Sequence, residues 1–266
     1  STLHQSDRSG CRLLGYGTTR RKQSEVNAPP SITLHGRFEI GGRPLFGPLS
    51  LTLPAGKWTA LLGASGVGKS TILRLILGLD TDGHLSGSIT ASDGQPLRER
   101  VSYMAQSDLL FPWLTVLENC VVGARLRGET PDHARAQNLL ARVGLTDHST
   151  KKPAALSGGM RQRAALARTL MEDRPVVLLD EPFSALDAAT RADMQELAAE
   201  VLVGKTVLLV THDPGEAARL GHRIVLLSAD AATRWDVPDT VPIRDIHAAE
   251  TLACQASLLD HLRGHS

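Results

Sequence analysis

From residue 31 onward the chain alternates between two hydrophobic periods. Residues 58–62, 176–179, 206–210 and 224–227 are nearly continuous apolar runs bounded by glycine, proline or charge. Such short, valine- and leucine-rich runs suit strands buried on both faces. Between them the apolar residues space out: Met194, Leu197, Ala198, Val201 and Leu202 recur at i, i+3, i+4, i+7 and i+8, one face of a helix laid on a sheet. Buried strands alternating with such helices predict an α/β fold with a mainly parallel sheet. Residues of about 110–156 break the rhythm, with helical segments such as 132–143 and no convincing strand, and read as a helical insertion in the α/β core. Residues 244–263 predict one amphipathic helix packed on the end of the domain.

The first 30 residues stand outside this pattern. They carry Arg8, Arg12, Arg20, Arg21 and Lys22 against Asp7 and Glu25, and end in Pro29-Pro30. A solvated, disordered basic tail is expected there. A targeting peptide is the alternative, which the two acids count against, and no apolar segment marks a secretory signal. Over all 266 residues, 29 Lys and Arg against 28 Asp and Glu leave a net charge of +1, which gives no footprint for nucleic acid or acidic lipid. No apolar run approaches the roughly 18–20 residues that cross a bilayer. Cys11, Cys120 and Cys254 form no CxxC pair. Their number and spacing argue against a disulfide framework or a thiolate zinc site, and fit a reducing compartment.

The chemistry concentrates at three places. Gly63-Ala64-Ser65-Gly66-Val67-Gly68-Lys69-Ser70 fits GxxxxGK[ST] between a predicted strand and a helix over 71–79. Its glycines let backbone amides wrap an anion, the helix start adds partial positive charge, Lys69 reaches the β/γ-phosphates and the Ser70 hydroxyl suits Mg²⁺. Thr71 is placed for the α-phosphate. The strand 176–179 runs into Asp180-Glu181, two carboxylates at the ligand-binding edge of a parallel sheet. Asp180 is the candidate Mg²⁺ holder and Glu181 the residue that orients or deprotonates the attacking water. Third, Ser157-Gly158-Gly159 precedes a helix with Leu166 and Leu170 on its apolar face, a second anion cradle. One nucleotide rarely needs two cradles, so this one is read as completing the site of a second, antiparallel copy; in isolation it would read as a helix cap.

Over residues 31–230 these elements, in this order, resemble the ATP-binding subunit of ATP-binding cassette (ABC) transporters. Residues 63–71 resemble its Walker A, Gln106 its Q-loop glutamine, 156–160 its signature and 176–181 its Walker B with the catalytic glutamate. Ser184-Ala185-Leu186-Asp187 resembles the D-loop and His212 the switch histidine. The resemblance implies a P-loop NTPase with a RecA-like core, a small antiparallel β-subdomain near 31–57 and 85–103, a helical subdomain over about 107–160, and a C-terminal helical extension over 231–266. It implies Mg·ATP hydrolysis in a head-to-tail dimer, with ATP sandwiched between one P-loop and the other copy's Ser157–Gly159. Lys69, Glu181, His212 and Gln106 take catalytic roles, Asp187 reaches across the interface, and Ser70, Gln106 and Asp180 serve the metal.

Two positions depart from the family pattern. Met160 stands where the signature usually has glutamine. The aromatic that stacks on adenine is missing, so Ile40 or Phe38 is left for that place. After Gln106, Leu109, Leu110, Phe111 and Trp113 offer exposed apolar bulk for a helix of a multi-span membrane permease. This stretch and residues 180–187 are similar to importers of the nitrate, sulfonate and taurine group, which includes carriers of pyrimidine precursors of thiamine; residues 211–222 lean towards the latter. That implies a place at the cytoplasmic face of the inner membrane, a separate periplasmic binding protein and no nucleic acid partner. An exporter subunit, or a cassette ATPase acting on nucleic acid, is the rival reading.

Overall fold

A computed structural model of the chain describes residues 29–264; the expected tail over 1–30 lies almost wholly outside the described residues. The four strands expected from the apolar runs are present as β3 (Trp58–Gly63), β6 (Val176–Asp180), β7 (Thr206–Val210) and β8 (Arg223–Leu227). With β5 (Val101–Met104) and β9 (Ala232–Trp235) they form one sheet in the order β5-β6-β7-β3-β8-β9. All neighbours are parallel except the edge pair β8 and β9. The strands read as unbroken apolar runs because both faces are covered. Val177, Leu179, Val207 and Leu209 face one core, while Val176, Leu178, Leu208 and Val210 face the other.

The first core is roofed by α2 (Val116–Leu126), α3 (His133–Arg142), α4 (Gly158–Met171) and α5 (Ala188–Val201). These helices start where capping residues stand: Thr115 and Glu118 form a reciprocal capping box, and Asp132, Ser157 and Asp187 each cap their helix. The second core is closed by α1 (Lys69–Leu77) and an antiparallel sheet of β1 (Ile32–Ile40), β2 (Arg43–Leu53) and β4 (His84–Ala91), in the order β2-β1-β4. Gly41 and Gly42, at φ 57° and 76°, make the two-residue turn between β1 and β2.

Two boundaries differ from expectation. β5 lies in the range assigned to the antiparallel sheet, yet pairs with β6, Val101 opposite Val176. At the far end, β9 adds a strand, and the last helix, α7, runs Ala249–Gly264 instead of starting at 244. The reason is Arg244. Buried in the preceding loop, it donates to Ala218 O at 2.7 Å and Gly221 O at 2.9 Å, at the buried carbonyl end of α6 (Pro214–Leu220), and to Thr240 O and Pro238 O. A side chain that serves another helix's C-terminus this way needs a loop geometry of its own.

β5, β6, β7 and β3 are adjacent and parallel, so the segments holding Gln106, Glu181, His212 and Gly63–Ser70 all leave the same edge of the sheet. This places the sequence-distant motifs side by side.

Candidate functional site

The loop between β3 and α1 is shaped by contacts that exclude larger residues. A Cβ on Gly63 would lie 2.4 Å from Leu227 O, and Gly68 has φ 106° with its missing Cβ 2.8 Å from the Phe46 ring. Gly68 caps α1 with no side chain of its own, which leaves the first-turn amides to an anion. Lys69 Nζ folds over the loop and donates to Gly63 O at 2.6 Å and Ala64 O at 2.9 Å. Burial pushes its pKa down, and Glu181 and Asp180 oppose that push. Beside the loop, residues 63–67, Leu45, His212 and Trp235 line a cavity of about 830 Å³.

Asp180, at the end of β6, is buried, and Ser70 Oγ donates to its Oδ2 across 3.5 Å. Burial and the neighbouring Glu181 carboxylate raise its pKa; the Ser70 and Tyr103 hydroxyls and Lys69 lower it. Tyr103, from β5, is itself raised to about 12 by burial and by this carboxylate. Ser70, Asp180 and the Gln106 amide are hard oxygen donors, the set Mg²⁺ takes alongside phosphate oxygens. Among the described residues no group of three or more His, Cys, Asp or Glu is placed to hold a metal alone.

Glu181 is the centre of the arrangement. It sits at φ 49°, a left-handed conformation a glutamate seldom adopts, with its N–H held by Val210 O at 2.8 Å. The turn presents the carboxylate between two partners: Gln106 Nε2 donates to Oε2 at 3.1 Å, and His212 Nδ1 lies 3.3 Å from Oε1. The structure thus brings together Lys69, Ser70, Gln106, Asp180, Glu181 and His212. It leaves apart Ser157, Gly158 and Asp187, which lie exposed at the starts of α4 and α5; Ser157 Oγ accepts from Met160 N at 3.2 Å and Asp187 Oδ1 from Thr190 N at 3.0 Å. Met160 directs its side chain into the helical core.

Gln162, two residues on, was not singled out by the sequence. Buried, it donates to Glu181 O at 3.0 Å and accepts from Ala185 N at 2.8 Å, tying α4 to the Glu181 turn and the 184–187 segment. Flanked by Arg161 and Arg163, it reads in the sequence as part of a polar helix face, which gave no signal. Phe38 is removed from the adenine question: it is fully buried and stacks on Phe46 with ring centroids 5.7 Å apart, whereas Ile40 is exposed beside the turn. In the apolar segment after Gln106, Leu109 and Trp113 are exposed, at 60% and 65%, but Leu110 is buried. Arg168 and Arg161 of α4 hold this segment through Leu109 O at 2.7 Å and the Asp108 carboxylate at 3.0 Å.

Comparisons with known proteins agree with this geometry. Residues 46–184 match the family described as "ABC transporter". An uncharacterized ABC transporter ATP-binding protein of Haemophilus influenzae is 43% identical over 232 residues, covering 85% of this chain and 95% of that protein. The aliphatic sulfonates import ATP-binding protein SsuB 1 of Mesorhizobium japonicum is 38% identical, with 91% of this chain and 97% of that protein covered. Among solved structures, the dimeric post-hydrolysis state of the ATP-binding cassette MJ0796 bound to ADP and Pi is similar at TM-score 0.68 and 28% identity, covering 80% of this chain and 99% of that one.

Proposed function

The chain belongs to the ABC transporter family, and on that premise we propose that it is the ATP-hydrolysing subunit of an importer for a small anionic solute, an aliphatic sulfonate. The observation that carries the catalytic part is the Glu181 carboxylate held between Gln106 and His212, beside a phosphate-binding loop. The amides of 63–70 and Lys69 take the phosphates of ATP, and Thr71 adds a hydroxyl. Ser70, Asp180 and Gln106 would hold a Mg²⁺, which would supply positive charge to the phosphates. Glu181 orients water for in-line attack and takes its proton, His212 holds Glu181 and contacts the γ-phosphate, and ADP and phosphate leave.

A second copy supports the other side of the nucleotide. Ser157 and the exposed Gly158 start a 14-residue helix whose N-terminus suits the anionic ATP of a partner copy, with Gly159 in its first turn, and the exposed Asp187 suits the same interface. The exposed Leu109 and Trp113, next to the Gln106 segment, suit docking of a membrane permease, so that dimer closure moves the permeation path. No helix of the described residues is long and apolar enough to cross a membrane, and the proposed permeation path is that of a separate permease. The proposed position is the cytoplasmic membrane face, with an extracytoplasmic binding protein delivering the solute. The sulfonate assignment rests on the relatives that carry that name.

The test is Glu181→Gln. Phosphate release should fall at least 100-fold while ATP binding persists; turnover at the wild-type rate would refute the assigned role.

A further inference from the structure

We propose that Glu216 is a positioning residue for hydrolysis, setting the His212 loop through Thr211 and Asp213. The inference rests on the role given above to His212. The His212 side chain is 66% exposed, so no packing aims its imidazole at Glu181. The aim has to come from the backbone on either side of it. Thr211 and Asp213 are those neighbours, and a single hydroxyl joins both. The Asp213 N–H donates to Thr211 Oγ1 at 3.0 Å, which leaves that hydroxyl to donate onward to Glu216 Oε2 at 2.7 Å. Donor and acceptor chemistry allow only that direction while Glu216 is ionised. Thr211 N also donates to Leu61 O at 3.2 Å, anchoring the loop to the strand that feeds Gly63.

Glu216 is 4% exposed, and a carboxyl so buried is costly unless its partner is fixed. Its charged surroundings are Asp213, which caps its own helix α6, Arg191 from α5 and His212. Arg191 extends the brace: it donates to Asp213 Oδ2 at 3.1 Å and to Leu186 O at 3.1 Å. The His212 loop is therefore tied to the 184–187 segment, which is the part of the chain turned towards a second copy. A cavity of about 30 Å³, room for one water, lies between Glu181, Ser184, Arg191, His212 and Glu216. Glu216 thus fixes the far wall of the space in which Glu181 and His212 work.

The experiment measures steady-state phosphate release from Mg·ATP by the full chain, separating kcat from KM, for wild type, Thr211→Val, Thr211→Ser, Glu216→Ala, Glu216→Gln and His212→Ala. Thr211→Val keeps the volume and removes the hydroxyl; kcat should drop about tenfold with KM for ATP within threefold. Glu216→Ala should do the same, and it carries the test if Thr211→Val does not fold. Thr211→Ser and Glu216→Gln, which keep a donor and an acceptor at these places, should restore kcat to within threefold. A folded Thr211→Val or Glu216→Ala with wild-type kcat overturns the proposal, as does failure of both conservative variants to restore it. If His212→Ala abolishes turnover while Thr211→Val does not, only this inference falls. If His212→Ala is fully active, the role of His212 falls, and this inference with it.

Discussion

Glu216 and His222 are oppositely poised acids and bases. Burial raises the Glu216 carboxyl to about 7, whereas burial and nearby cations lower His222 to about 4, consistent with its Nδ1 accepting the Trp58 N–H at 3.2 Å. Between the ordinary carboxyl value and 7, folded Glu216 binds more proton than the unfolded chain does. Its contribution to stability is therefore complete at low pH and is lost as pH rises through 7, by on the order of 3 kcal/mol. His222 acts in the other direction: its neutral folded form costs stability as pH falls below the usual histidine range. Comparing wild type with Glu216→Gln cancels the His222 part. The wild type should be the less stable of the two at pH 8 and should recover relative to the variant at pH 5, read as shifts in urea midpoint. A difference that does not change with pH would contradict the buried-acid reading.

Single residues also show what the sequence disclosed. Lys69, Ser70, Asp180 and Glu181 were legible because each stands in a motif at a strand end, and strand ends on one sheet edge converge; Gln106 and His212 were legible through the family resemblance. Tyr103, Gln162, Arg191 and Glu216 were not. Each is one polar residue in an ordinary strand or helix pattern, and its meaning depends on which elements become neighbours. Phe38 failed for the same reason: alternation put it on the same face as Ile40, but only the packing of β1 on β2 shows that this position is core.

Elements were legible where the hydrophobic period was strong and closed by a cap. β3, β6, β7 and β8 follow the apolar runs almost to the residue, and α1 ends at Gly78, which adopts φ 66° and caps the helix through Arg74 O and Leu75 O. Sheet membership was less legible: β5 is four residues long, and nothing in so short a run says which sheet it joins. The loop before α1 is the element whose shape is most demanding. Gly68→Ala would set a methyl against the Phe46 ring at φ 106°, a conformation L-residues avoid. We expect a loss of about 1–3 kcal/mol in unfolding free energy and at least tenfold weaker ATP binding. Titration with a fluorescent ATP analogue beside a urea melt reads both; unchanged affinity would show that the loop does not need this turn.

At the scale of the whole molecule, the proposed head-to-tail dimer has one chain carry half of each of two sites. The Lys69–Glu181–His212 group and the Ser157–Gly159 helix start are both built, but no hydrogen bond among the described residues joins one to the other. In the proposed arrangement, two copies facing head to tail would supply each group with its complement. We therefore expect Glu181→Gln protein to shift from monomer to dimer on adding Mg·ATP, read by size-exclusion chromatography with light scattering, and to return on removing it. A chain that stays monomeric with ATP bound would count against the shared site.

Arg244 sets an order in time. Two carbonyls it caps at the end of α6, Ala218 and Gly221, lie 26 and 23 positions earlier in the chain. At about 5–20 residues per second, a ribosome adds Arg244 roughly 1–5 s after α6 is complete. During that interval α6 has its sequence but not the guanidinium that closes its C-terminal end, and the His212 loop at its other end has no finished helix behind it. The phosphate loop shares this dependence on late sequence, because β3 pairs with β7 and β8 and Gly63 packs against Leu227 O, so binding and hydrolysis both wait for the last third of the chain.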